Sequence, residues 1–272
     1  MLGTRVITAV VLLVVLVALL MSGSVTAVAV AGGLFLAAAS WEALRLFGSR
    51  NAPLVAGMWC LAYALIVLKQ AYLHAGVLML LCVLIWAVRL APSLKLGLPP
   101  IDGLGNRLLS GIYGVAILGC FVAILALYAH SALYLFSAMA IVWIADIGAY
   151  FSGKAFGRHK LAPSISPGKS WEGAIGGWLA VLVAAIATTQ VPQLQDTFAV
   201  QLWQHRGWVV LLLVMTALVA ASVTGDLFES QLKRRAGFKD SSTLLPGHGG
   251  VLDRIDALIP ALPLALLVDA WH

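Results

Sequence analysis

Long apolar runs separated by short polar stretches organise the whole chain. They lie near 6 to 21, 25 to 44, 53 to 68, 71 to 90, 108 to 128, 132 to 151, 171 to 190, 207 to 225 and 257 to 271. A hydrocarbon layer about 30 Å thick is crossed by about 20 apolar residues in helical form. Only helices and closed barrels satisfy their backbone polar groups there. The nine runs therefore predict an all-α polytopic integral membrane protein with about nine transmembrane helices. The first run, with Arg5 before it and Ser24-Val-Thr-Ala after it, also fits a cleaved signal peptide, but the weak cleavage motif favours a retained helix.

Composition agrees. Of 272 residues, 62% are hydrophobic and 10% charged, too little polar surface to cover a body folded in water. Nine crossings use about 180 residues, so no separate soluble domain of ordinary size fits. Cys60, Cys82 and Cys120 are widely spaced in apolar stretches and read as buried hydrophobes, not as a metal site. The net charge of +6 is spread over loops without aromatic interleaving or a recognition helix, so no nucleic-acid partner is expected. With the amino terminus inside, all Lys and Arg except Lys69 and Arg206 fall on one side of the nine spans, a strong positive-inside signal. Soluble chemistry is expected at the inner connections, 45 to 52, 91 to 107, 152 to 170 and 226 to 256, so the active site faces the cytoplasm. No internal repeat is evident, which weakens an inverted-repeat transporter.

Chemistry concentrates in the second half. Eight of the 11 acidic residues lie between 146 and 256. The expected division is an amino-terminal scaffold of transmembrane helices over 1–130 and a carboxy-terminal catalytic region over 131–272, with cytoplasmic loops 152–170 and 226–256. Glu42, near an inner helix end, reads as a solvated or snorkelling side chain. Asp146 lies inside an apolar run with Tyr150 on the same face at i+4. An ionisable residue at that depth is either functional or held by a nearby Lys or Tyr150. Gly168-Lys169-Ser170 is not a phosphate loop of the Walker type, because Pro163 stands where that motif needs Gly. Lys169 and Ser170 before a helix start could still hold an anion on free N–H groups, or serve as an ordinary cap with a juxtamembrane lysine.

Two further clusters follow. In Thr224-Gly225-Asp226-Leu-Phe-Glu229-Ser230-Gln-Leu-Lys233-Arg234-Arg235, continued helix puts Asp226, Glu229 and Ser230 on one face with cations in the next turn. Such oxygen donors suit a hard metal such as Mg²⁺. In Lys239-Asp240-Ser-Ser242-Thr-Leu-Leu-Pro246-Gly-His248-Gly-Gly250-Val-Leu-Asp253-Arg254-Ile-Asp256, the glycines allow close backbone approach and two aspartates open the last span. His248 is read equally as structural or as a ligand. Alternating carboxylates and cations on one inner surface is what a metal and a phosphate compound need. From the residues alone, the phosphate compound stays open.

The stretch Ser230, Lys233-Arg234, Lys239-Asp240, Ser242, Pro246, His248-Gly249-Gly250, Asp253-Arg254 and Asp256 resembles the signature of the phosphatidate cytidylyltransferase (CDP-diacylglycerol synthase) family. Asp146 to Gly173 and Gly225-Asp226 are also similar to the family's pattern, whereas residues 1 to 130 share only hydropathy. The resemblance implies transfer of CMP from CTP to phosphatidate, giving CDP-diacylglycerol and pyrophosphate with Mg²⁺. It implies Asp226 and Asp253 as metal ligands, with Asp146 and Asp256 as further candidates. Lys233 and Arg254 join Asp226 and Asp253 as catalytic residues, Lys233 holding phosphate with Lys169, Arg234 and Lys239, and Arg254 orienting the aspartates. Lys169, Ser170, Ser230, Arg234, Lys239, Asp240 and His248 bind substrate. Membrane lipids are implied partners, a homodimer is possible, and the expected location is a bacterial inner (plasma) membrane. The rivals are a CTP-dependent lipid kinase and an ion-coupled transporter.

Overall fold

The structure is a computed structural model that describes residues 2–269. Eleven α-helices follow one another among the described residues: α1 (Leu2–Met21), α2 (Val25–Leu46), α3 (Ala52–Leu68), α4 (Gly76–Ile85), α5 (Ala91–Leu96), α6 (Leu104–His130), α7 (Ala132–Phe156), α8 (Trp171–Thr188), α9 (Phe198–Arg235), α10 (Leu252–Ile255) and α11 (Leu258–Asp269). A π-helical turn, Trp86–Leu90, joins α4 to α5 into one rod, Gly76–Leu96. Six helices are long and apolar enough to cross a membrane, and Val10–Met21, Ala52–Leu68 and Leu258–Asp269 are shorter apolar helices. The protein is an all-α polytopic membrane protein, and the nine apolar runs correspond to these nine segments.

Local chemistry sets the boundaries. Ser24, Ser131 and Ser170 cap α2, α7 and α8, each hydroxyl accepting from the N–H three residues on, which satisfies an otherwise orphaned donor. Gly207, with φ 78°, breaks α9 into a short amphipathic turn-in and a long span. The apolar run accordingly begins at 207, while the preceding polar residues, expected as connection, are helical from Phe198.

Two loop assignments need correction. Residues 152–156 complete α7, and 226–235 complete α9, so the polar segments are 157–170 and 236–251. The helices run past the apolar stretches because i, i+4 partners such as Glu229 and Lys233 pair on them. The first polar segment also holds a two-stranded antiparallel hairpin, β1 (Lys160–Ala162) and β2 (Ser166–Ser170). A strand pairing this short leaves no periodicity to read.

α6 runs through the middle and is buried along most of its length. Tyr113 of α6 packs on Phe228 of α9 with ring centroids 5.0 Å apart, and Trp86 meets Phe228 edge-on at 5.7 Å. α7 and α8 approach backbone to backbone: a Cβ on Gly177 would overlap the Ala145 carbonyl. Small residues permit this contact, a common means of joining helices in lipid. It brings the middle of α7 against the start of α8, where the polar cluster lies.

Candidate active site

Five elements converge on one cavity of about 510 Å³, lined by Asp146 and Tyr150 of α7, Lys169 of β2, Ser170 at the start of α8, Asp226 of α9, and Asp253, Arg254 and Asp256 around α10. The hairpin is fastened to α8 by Glu172, which accepts the backbone N–H groups of Arg158 and His159 and pairs with His159 Nδ1 at 2.6 Å. A carboxylate in the first turn of a helix is well placed for this role. Lys169 is thereby delivered to α9, its Nζ 2.5 Å from Asp226 Oδ2. Ser230, one turn on from Asp226, donates to Asp226 Oδ1 at 3.3 Å.

α9 in turn packs closely on the last helices. A Cβ on Gly225 would overlap the Asp256 carbonyl and press on Pro260, so this position admits no side chain while Asp226 and Asp256 share the cavity. Burial pushes the Asp256 carboxyl up to about 7, and the neighbouring Asp226 charge adds to the rise against the opposing Ala257 N–H, Lys233 and Lys169. Near neutral pH its charge is thus set by what else enters the cavity.

Asp253 lies in the opposite environment. Its Oδ2 accepts from the Ser241 N–H at 2.8 Å, the Ser241 hydroxyl at 2.7 Å and the Gly250 N–H at 2.7 Å, while Lys233 Nζ lies 2.5 Å from Oδ1. Burial alone would raise this carboxyl, but the Lys233 ammonium and the N–H and O–H donors outweigh it and hold the carboxyl below its ordinary range. Lys233 also faces the fully buried Glu229. It bridges two acids, where the sequence suggested a side chain reaching for phosphate.

Glu42 corrects the reading of the first half. It is fully buried on α2 and accepts from the Ser241 and Ser242 hydroxyls and from the N–H groups of Val251 and Leu252, the last at 2.6 Å. Arg45, one turn on, donates to the Ser241 carbonyl at 2.8 Å. The loop before α10 is therefore tied at both edges by carboxylates, Glu42 on one side and Asp253 on the other. Gly249, at φ 81°, makes the turn that carries the Gly250 N–H to Asp253. Sequence reasoning missed Glu42 because its partners stand about 200 positions away; the available signal was a lone acid in an apolar helix.

The structure thus brings together Asp146, Lys169, Ser170, Asp226, Asp253, Arg254 and Asp256, with Ser230 and Lys233 one contact behind. Arg234, Lys239, Asp240 and His248 are not among the residues lining this cavity. Arg234 lines a separate small cleft with Ser164 and Gln231, Lys239 and Asp240 are exposed, and His248 sits in a turn where its N–H donates to the Leu245 carbonyl. Arg254 does not orient the aspartates: among the described residues its guanidinium pairs with none of them.

A profile of the cytidylyltransferase family matches residues 3–270, nearly the entire chain and every element that lines the cavity. The chain belongs to the cytidylyltransferase family. Its similarity to individual members is concentrated over shorter stretches. It is 51% identical over 134 residues to a phosphatidate cytidylyltransferase of Haemophilus influenzae, covering 49% of this chain and 44% of that protein. With the enzyme of that name from Pseudomonas aeruginosa it shares 52% over 126 residues, 46% and 43% of the two chains. With that from Bacillus subtilis it shares 39% over 162 residues, 60% and 56%. The matches span about half the length of these curated relatives. The cavity thus sets three carboxylates, those of Asp146, Asp226 and Asp256, beside the ammonium of Lys169.

Proposed function

We propose that this chain transfers CMP from CTP to phosphatidate, giving CDP-diacylglycerol and pyrophosphate for phospholipid synthesis, in a cavity open to the cytoplasmic side of a bacterial inner membrane. The observation that carries the reading is the single cavity holding Asp146, Asp226, Asp256 and Lys169 at the ends of membrane-spanning helices. A phosphate compound from water and one from the bilayer can meet there. The basic inner connections support the sidedness, and the names of the relatives support the substrates.

The chemistry needs no protein nucleophile. An anionic oxygen of phosphatidate attacks the α-phosphorus of CTP in line. The new P–O bond forms as the bond to the bridging oxygen breaks, and pyrophosphate leaves with that electron pair. The protein's part is positioning and charge neutralisation. Lys169 is free to leave Asp226 for a phosphate when a second cation takes its place. Lys233 holds Asp253 and Glu229 together beneath, so that α10, which carries Arg254, keeps its place.

Mg²⁺ fits the donors present. Asp226, Asp256 and Asp146 offer hard oxygen ligands, whereas Asp253 spends most of its acceptor capacity on the loop. The described residues include no group of three or more acid, His or Cys side chains placed to hold a metal, so an ion here would take one or two of these carboxylates, with phosphate and water in its other places. When bound, Mg²⁺ supplies positive charge to the triphosphate.

The test uses detergent-purified protein with phosphatidate, Mg²⁺ and CTP labelled in its α-phosphate. Label entering the lipid with matching pyrophosphate is the expected result. CDP with unlabelled lipid would transfer the reading to a CTP-dependent lipid kinase, and ion-driven flux in sealed vesicles without lipid turnover would transfer it to a transporter.

A further inference from the structure

Arg254 borders two cavities. Besides the polar one, it closes the end of an apolar groove of about 370 Å³ between α1, α2, α6 and α7. Leu12, Leu16 and Leu20 form one wall, Ala31 stands opposite, and Met139 and Trp143 of α7 complete the lining. The α1 wall is about 12 Å long at 1.5 Å per residue. Thr8 Oγ1 donates to the Pro246 carbonyl at 2.8 Å, so the groove has its mouth at the polar loop and runs away from it along α1. α1 is exposed at Val10, Val11 and Val14, and also at Leu13 and Val15, which line the groove, so the groove lies along a helix that meets surrounding lipid.

The guanidinium at the junction is exposed and, among the described residues, without a hydrogen bond or ion pair. A planar cation of this kind is suited to bidentate contact with phosphate. An apolar trough that starts at an unpaired guanidinium and continues into a carboxylate-lined nucleotide cavity matches one kind of molecule, an anionic phosphate head on a hydrocarbon tail.

We propose that the groove between α1, α2 and α7 seats an acyl chain of the phosphate-headed lipid while Arg254 takes its phosphate, so that residues of α1 and α2 set acyl-chain preference. The inference rests on the proposed cytidylyl transfer for its lipid, but its test does not depend on turnover. Phosphatidate with a photoactivatable group midway along one acyl chain is irradiated with the full-length protein in nanodiscs, and adducts are mapped. Labelling within 12–35 and 135–143, displaced by unlabelled phosphatidate and reduced at least about fivefold by Arg254→Gln, is the expected result. Adducts elsewhere, or equal labelling by phosphatidylcholine carrying the same group, would overturn it; the latter would mean ordinary surrounding lipid.

A kinetic arm reads specificity. Ala31→Phe should lower turnover of long-chain phosphatidate about tenfold while dihexanoyl phosphatidate changes less than about twofold. Leu16→Ala, which enlarges the groove without overfilling it, should shift the long-to-short ratio by a few fold. An unchanged ratio in both variants would overturn the assignment even if Ala31→Phe proves poorly folded. Adducts in the groove without any turnover would leave the groove standing and defeat the cytidylyl reading. Turnover with adducts elsewhere would do the reverse.

Discussion

The acids of this protein fall into two groups that differ in how fully their oxygens are engaged. Glu42 and Asp253 each accept from several donors and pin the loop before α10 from opposite sides. Asp226, held by Lys169 and Ser230, and Asp256, which accepts from the Ala257 N–H, have fewer partners and face the cavity together with Asp146. The first pair holds the backbone in place; the second set is left with capacity to hold something else. Formal charge is the same in both, so the donor environment alone separates a brace from a ligand.

Removing a member of the open set should have the largest effect on chemistry. Asp226→Asn is expected to lower cytidylyl transfer about 10²- to 10³-fold while the melting temperature in detergent moves little, since Ser230 can still donate to the amide oxygen. A similar loss on chelating Mg²⁺, reversed by adding it back, would sharpen the point; full activity in the variant would break the distinction. Next comes the brace. Glu42→Ala leaves the Ser242 hydroxyl and two N–H groups buried without that acceptor, while the Ser241 hydroxyl keeps Asp253, and should cost about 3 kcal/mol or more. It should be visible as a lower unfolding temperature and as rapid proteolysis in the 236–251 loop, with activity lost in parallel. A stable but inactive Glu42→Ala protein would mean that Glu42 is not a brace.

pH separates the groups more gently. Asp256 has its carboxyl raised to about 7 by burial and by Asp226. Folding therefore favours its protonated form: its contribution to stability is full below the unfolded value near 4 and is lost as pH rises through about 7. Asp253 runs the other way, its contribution being present above the ordinary carboxylate range and lost on acidification. Between pH 6 and 8, turnover should rise as Asp256 ionises, while the unfolding temperature falls modestly. Asp256→Asn should flatten the stability trend, and a slope unchanged in that variant would assign it to another group. The smallest effect is expected at the far side of the bundle. Lys69→Gln replaces an exposed cation at the end of α3 and should change stability and turnover by less than about 0.5 kcal/mol; a large loss there would contradict the assigned sidedness.

Most of the architecture could be read from hydropathy, because lipid demands long apolar runs and every such run here became a helix. The ends could not, since α7 and α9 continue for a turn or more on polar side chains that satisfy one another. Within the site, residues close in sequence and rich in charge were recognised: Asp226, Asp253, Asp256, Lys169 and Asp146 do share a cavity. Roles that depend on distant partners escaped. Lys233, to which the resemblance gives a phosphate-holding role, bridges Glu229 on its own helix and Asp253, 20 positions on. Arg234, Lys239 and His248 belong to the same signature and still lie away from the cavity walls, so a motif records what a loop needs to fold as well as what it binds.

The tie between Glu42 and residues 241–252 has a consequence for biogenesis. Helix α2 enters the bilayer early in synthesis, and its carboxylate waits while some 200 further residues are made before its partners arrive. Until then the nascent chain carries an unmatched acid near the membrane surface, a costly state for any insertion intermediate. A chain halted before the last loop keeps that defect permanently, its second helix holding a buried acid whose acceptor capacity is unmet.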